Sequence, residues 1–310
     1  MTRHSDSRQE TPQLAATNST VALYLRHTSG SVYQYQGTGN SWPAIDENPE
    51  DLQIVASTQA VYLRHGNGRI YVYRGGQSWF EIRADDGRVT TMVAGSRGMY
   101  LLLDQNEILM YLGAPYYWRS LGVPSSNISQ VAVGASTVFA LSERSGIYQY
   151  TYSPTPFWKN IDTVSGTSVA IIQIVADDSE NLYELREGDS AKQICQYVDN
   201  QWVTLAGGST SKATQKIAAN AGLLCRLLVD GSIDKYNPAL KSWETIKYPD
   251  TVITMDVTID ITGLVYCVNG NGTILQWNPS STKDYKWGAL DSNPLNAGAG
   301  NLVTVLGLGA

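Results

Sequence analysis

Two arginine–histidine pairs recur in this chain, Arg26–His27 and Arg64–His65, and Arg69 follows closely on the second. A guanidinium offers a planar fork of donors, and an imidazole both gives and accepts hydrogen bonds, so such pairs suit hydroxyl-rich ligands. Equivalent points further along carry Asp104-Gln105-Asn106-Glu107, Glu143-Arg144, Arg186-Glu187-Gly188-Asp189, Asp230 and Asn269 to Asn271. Basic residues therefore cluster early, and acids and amides later. The expected binding positions are Arg26, His27, Arg64, His65, Arg69, Asp104 and Asn269.

Catalytic chemistry is poorly encoded. The other histidine, His4, stands in a polar leader. His27 and His65 share one repeat position, which fits common ancestry or a surface role better than a general base. No nucleophile elbow, zinc-protease helix or phosphate-binding loop is present, so no catalytic residue and no cofactor is expected. Asp177-Asp178-Ser179-Glu180 lacks the alternating oxygen spacing of a calcium loop, and no metal site is expected. Cys195, Cys225 and Cys267, an odd number with no CxxC, read as buried reduced thiols of a cytosolic chain.

Something must hold these polar positions in register. Seven tryptophans recur about 40 residues apart, the period of toroidal repeats. They are Trp42, Trp79, Trp118, Trp158, Trp202, Trp243 and Trp287, each followed three residues later by Ile or Leu. Between them lie three further apolar runs per repeat. The first resembles Gln53-Ile54-Val55-Ala56 and the second Val61-Tyr62-Leu63. The third pairs Ile or Val with an aromatic three residues on, as in Val32/Tyr35 and Ile274/Trp277. Runs of four to seven residues bounded by Gly, Asn, Asp and Ser are strands and hairpins, and Asn67-Gly68 and Asn271-Gly272 are tight-turn pairs. Four strands, A to D, make one blade, with Trp on D.

The N-terminal part supplies only B, C and D of a first blade, because Leu14-Ala15-Ala16 is a poor strand A. Leu302 to Gly307 reads as a strand A with nothing behind it. The expectation is an all-β, seven-bladed β-propeller of four-stranded blades, closed by the C-terminal strand joining the N-terminal blade. It occupies 14–310 as a single domain after a disordered tail at 1–13. Repeated aromatics at equivalent positions should pack blade on blade. Tyr116, Tyr117, Phe157, Tyr248 and Tyr285 fall outside the repeat and should be exposed in C–D loops.

The 310 residues carry a net charge of -6 with 16% charged residues, which gives no basic footprint for nucleic acid. No apolar stretch reaches the length of a transmembrane helix, and Met1 to Gln13 lacks the apolar core of a secretory signal. Cytoplasmic placement is expected, with non-classical release as a variant.

The runs Gln130-Val131-Ala132-Val133-Gly134, Leu264-Val265-Tyr266-Cys267-Val268-Asn269 and Ile70-Tyr71-Val72-Tyr73 resemble the tectonin family of β-propellers. The resemblance spans most of residues 20–307. It implies glycan recognition by shallow, multivalent sites on one face or between blades, with glycans as partners. Two other classes are consistent with the residues: a protein-interaction scaffold, and an enzyme (lyase, pericyclase or hydrolase) at the channel mouth.

Overall fold

A computed structural model describes residues 21–307 except 28, 37–40, 59, 85–86, 144–145, 153, 163–169, 189–191, 206–212, 261, 280–285 and 295–302. The expected tail over 1–13, the weak strand candidate at Leu14–Ala16, and His4, Arg144, Asp189 and Tyr285 lie outside the described residues.

Seven four-stranded antiparallel sheets form a seven-bladed β-propeller. Blades 2 to 7 take consecutive segments, 51–83, 89–122, 128–162, 171–204, 214–247 and 254–292. Blade 1 combines Val21–Arg26, Val32–Gln34 and Ala44–Asp46 with Val303–Gly307 as its strand A. The closing pair is antiparallel, Val21 opposite Gly307 and Leu25 opposite Val303, as the lone C-terminal strand predicted. Strands A of neighbouring blades touch one another and surround the channel, whereas the tryptophan strands lie outermost.

The alternation within each strand sends side chains to the two neighbouring seams. Seven apolar clusters result, each bridging two adjacent blades. One joins Ile70, Ile82, Met92 and Leu101 across blades 2 and 3, and another joins Leu227, Ile233, Val257 and Val265 across blades 6 and 7. Each fully buried Leu, Ile or Met contributes about 1.5–3 kcal/mol of transfer free energy, so the seams hold the ring together.

The tryptophans add direction to this packing. Trp79 Nε1 donates to the Ile45 carbonyl at 2.9 Å, and Trp158 Nε1 to that of Leu121 at 2.9 Å. Trp42, Trp79, Trp118, Trp158 and Trp287 thus each bond the residue three places after the tryptophan of the preceding blade, which explains the Trp-x-x-Ile/Leu pattern. The strand C aromatic leans on the tryptophan of its own blade, with centroids 5.0 Å apart for Tyr35–Trp42 and 5.2 Å for Tyr197–Trp202. Strand A adds amide clamps: Gln173 Nε2 donates to the Ile217 carbonyl while its Oε1 accepts from Ile217 N, both at 2.9 Å. Gln53 clamps Met92 of the next blade in the same way, and Gln130 donates to the Ile172 carbonyl while accepting from Ile174 N.

The B–C turns and D–A links share one face. The residue after strand B donates to the carbonyl just before strand A of its own blade, as in Asp104 N to Arg88 O at 2.7 Å and Gly270 N to Ile253 O at 2.8 Å. Gly30, at φ 95°, lies so close to Pro49 that a Cβ would fall 2.5 Å from its carbonyl oxygen. No larger residue fits that turn. The three cysteines are buried and unpaired, as the sequence predicted. Among the described residues no helix is long and apolar enough to cross a membrane.

Candidate functional site

The two arginines of the sequence pairs serve as braces. Arg26 ends strand B of blade 1, and its Nη1 donates to the main-chain carbonyl of Asp51, the first residue of strand A in blade 2, at 3.0 Å. Arg64 repeats the contact one blade on, reaching the Val89 carbonyl at 3.0 Å. Burial pulls both guanidinium pKa values below their ordinary range, an effect that the Asp51 charge opposes for Arg26.

The two histidines differ despite their shared position. His27 is buried and stacked on Tyr33, with ring centroids 4.1 Å apart. His65 leans on Tyr71 at 4.3 Å, and its Nε2 faces two carboxylates, Asp51 Oδ1 at 3.1 Å and Asp46 Oδ2 at 3.9 Å. Burial lowers the His65 pKa, which the Asp46 charge opposes. Asp51 is only 2% exposed. Burial first and the neighbouring Asp46 second push its carboxyl up to about 8, with Arg26 acting against them. The structure therefore gathers Arg26 and His65 around Asp51.

The remaining predicted positions are separate from this cluster. Arg69 is exposed and pairs with Glu81 at 3.2 Å, and Asp104 is exposed and pairs with Arg88 at 3.3 Å. Asn269 is buried in blade 7, where its Oδ1 accepts from Thr254 Oγ1 at 3.2 Å. Sequence reasoning missed Asp46 and Asp51, although a signal existed. The first strand-A position holds Val89, Ile128, Ile171, Thr214 or Thr254 in the other complete blades, so an aspartate there breaks the repeat. The acidic run at Asp177 is engaged in turn geometry, since Asp177 Oδ1 accepts from Ser179 N at 2.9 Å and Asn181 N at 2.8 Å.

Two concavities complete the picture. A cleft of about 490 Å³ lies between strands A of blades 2 and 3, with Arg26 at its edge and Leu52, Val55, Thr91 and Val93 along its walls. A groove of about 430 Å³ follows the seam of blades 6 and 7. Tyr248, Trp277 and Trp287 line it together with Glu244, Asp250, Lys247 and Lys286. Tyr248 is 75% exposed and lies in the D–A link rather than the C–D loop expected for it. Lys247 is 3% exposed, and its ammonium has no hydrogen-bond partner among the described residues.

These sheets and seams define the class of protein, a seven-bladed β-propeller with four-stranded blades. No family model matches the chain, and no curated protein does. Solved structures do match. Human WBSCR16 aligns with TM-score 0.60 at 11% identity, over 88% of this chain and 93% of its own. YCF48 bound to a D1 peptide aligns with TM-score 0.55 at 16% identity, over 80% and 88%. Prp20p from Saccharomyces cerevisiae, studied with Gsp1p and histones, aligns with TM-score 0.57 at 10% identity, over 84% and 81%. At such identities the likeness is one of fold.

Proposed function

We propose that this propeller is a non-catalytic carbohydrate-binding protein of the tectonin type, with the groove between blades 6 and 7 as its sugar site. The groove itself carries the reading. An exposed Tyr248 ring offers a flat apolar face to pyranose C–H groups, as protein–sugar stacking requires. Lys247 and Lys286 supply donors, and Glu244 and Asp250 supply acceptors, around the same space. The exposed tips Arg69 and Asp104 stand on blades 2 and 3, away from this groove, and Arg26, His27, Arg64, His65 and Asn269 serve the scaffold in this reading. Three unpaired cysteines support a reducing, cytoplasmic compartment.

A glycan array followed by calorimetry with the full chain tests the proposal. The expected result is binding of at least one glycan, weakened roughly tenfold or more by Tyr248→Ala, the loss of one good anchor contact. Silence across the array at millimolar monovalent sugar would overturn it. A glycan ligand whose affinity ignores Tyr248→Ala would move the site elsewhere.

A second reading, a peptide- or protein-binding scaffold, is favoured by one observation. Leu52 and Met255 take the same exposed second position of strand A in blades 2 and 7, and Ile253 and Val229 are exposed nearby on that face. An apolar arc at the channel mouth suits a peptide side chain, and peptide and protein ligands are named for the structural neighbours. Peptide-array binding abolished by Leu52→Glu with Met255→Glu, together with a silent glycan array, would establish it.

A further inference from the structure

The seam between blades 1 and 2 combines three equivalent positions in a way no other seam does, with an aspartate and a histidine found nowhere else at the second and third among the complete blades. The positions are the end of strand D, the start of strand A in the next blade and the end of that blade's strand B. Between blades 1 and 2 they hold Asp46, Asp51 and His65. Between blades 4 and 5 they hold Asp162, Ile171 and Arg186. There Arg186 Nη2 lies 3.5 Å from Asp162 Oδ2 and also pairs with Glu184, a carboxylate from the middle of strand B. That seam thus brings two carboxylates together around a cation of its own.

The geometry points to a divalent transition-metal site made by Asp46, Asp51 and His65 at the seam of blades 1 and 2. This goes beyond the sugar-binding reading, and it departs from the sequence expectation of no metal. One donor atom from each residue lies within 4.8 Å of the others. Ligands of an ion bound at about 2.0–2.2 Å stand a little over 3 Å apart. His65 Nε2 and Asp51 Oδ1 already have a 3.1 Å separation, and Asp46 Oδ2 stands 3.9 Å from the same nitrogen.

A second, independent observation is the state of Asp51. Its carboxyl group is buried, and neither oxygen receives a hydrogen bond from an amide or a basic side chain, its one side-chain partner being the acid Asp46. His65 Nε2 makes no hydrogen bond among the described residues. Arg26 reaches the main-chain oxygen of Asp51 instead of its carboxylate. A buried carboxylate without such donors is costly, and a bound cation removes that cost.

The surroundings also suit an ion. Asn48 N donates to Asp46 Oδ1 at 2.9 Å, which anchors that ligand. The Asn48 carboxamide sits 3.1 Å from His65 Nδ1. Asn48 Oδ1 accepts from Glu50 N at 3.0 Å, so its Nδ2 faces His65 Nδ1, and an ion on Nε2 requires the carboxamide to turn over and give up the Glu50 bond. The side chains of His65 and Asp46 keep 13% and 14% exposure, so the ion retains a solvent-facing position. One imidazole and two carboxylates select Zn²⁺, Mn²⁺ or Co²⁺ over Ca²⁺, which takes oxygen ligands in larger number.

The test titrates the full chain, stripped with EDTA and dialysed, with ZnCl₂ by calorimetry, and in parallel with CaCl₂. One Zn²⁺ should bind per chain at micromolar concentration and raise the melting temperature, with no comparable response to Ca²⁺. Asp51→Asn and His65→Gln should each weaken Zn²⁺ roughly 100-fold or more, beyond the usual cost of losing a supporting contact. Asp178→Asn, a control on the acidic turn of blade 5, should leave it unchanged. Where Asp51→Asn fails to melt cooperatively, the less deeply buried Asp46→Asn replaces it. Absence of one-site Zn²⁺ binding, equal affinity for Ca²⁺, or unchanged affinity in the Asp46→Asn/His65→Gln double variant would each overturn the site.

Discussion

Trp42 Nε1 donates to the carbonyl of Leu290 at 3.2 Å, a bond between residues 248 positions apart that crosses the seam between the last blade and the first. It is the same contact that Trp79 makes with Ile45 and Trp287 with Ile246. The ring therefore closes by the rule that builds it, with no special device at the junction. Trp202 is the exception, since its Nε1 has no hydrogen-bond partner among the described residues and Arg186 lies 5.8 Å from its ring centre. Trp42→Phe should accordingly destabilise more than Trp202→Phe, by about 1 kcal/mol, the net worth of one hydrogen bond. Urea midpoints of the two variants give the comparison. Equal losses would show that ring packing alone carries the tryptophan contribution.

Removal of residues 303–310 takes away strand A of blade 1 and leaves Val21–Arg26 with an unpaired edge. An exposed strand edge recruits other chains. The truncated chain should elute as dimers and larger species in size exclusion and melt at lower temperature than the full chain. A monomeric truncation with an unchanged melt would mean that the closing strand adds little to the ring.

The fold was legible because the seam contacts repeat. Trp-x-x-Ile/Leu records a bond between blades, and Ile-x-x-Tyr records the ring that leans on that tryptophan, so both recur seven times in one-dimensional form. The site was much less legible. Arg26 and Arg64 look like ligand-binding tips in sequence, yet each spends its guanidinium on a carbonyl of the next blade. Tyr248 was visible as an unrepeated aromatic, but its partners in the groove come from another blade, at Trp277, Lys286 and Trp287. Asp51 could have been found by asking where the repeat is broken rather than where it is conspicuous.

Arg226 is the largest fully buried side chain, held by Asp234 through Nε at 2.9 Å and Nη2 at 2.8 Å and stacked 4.4 Å over Trp243. Asp234 also accepts from Thr245 Oγ1 at 2.8 Å. Breaking such a pair strands a buried charge and costs about 3–5 kcal/mol, whereas an apolar replacement of both partners is far milder. Arg226→Met should therefore lower stability severely, and Arg226→Met with Asp234→Leu should recover much of the loss. Denaturant unfolding of both variants decides this. A double variant no better than the single would show that the stack on Trp243, and not the ion pair, is the contribution lost.

The buried thiols, together with buried tyrosines such as Tyr62, make the fold sensitive to alkali. Burial raises the Cys225 and Cys267 pKa values from 9.0 to about 12, against smaller opposing pulls from Lys235 and Lys247 respectively. An acid whose folded pKa is raised stabilises the native state below its unfolded value and loses that contribution as pH climbs through the folded value. Each thiol should therefore cost stability between pH 9 and 12, by up to about 1.4 kcal/mol per pH unit. Urea midpoints should fall over that range, and the fall should be shallower in a Cys225→Ala/Cys267→Ala variant, which is weaker at neutral pH through lost packing. The same burial predicts that a thiol reagent labels these two residues at neutral pH only as fast as the ring unfolds. Rapid labelling of either thiol in the native state would mean that its seam opens locally, and the shared-core account of ring stability would then fail for that blade.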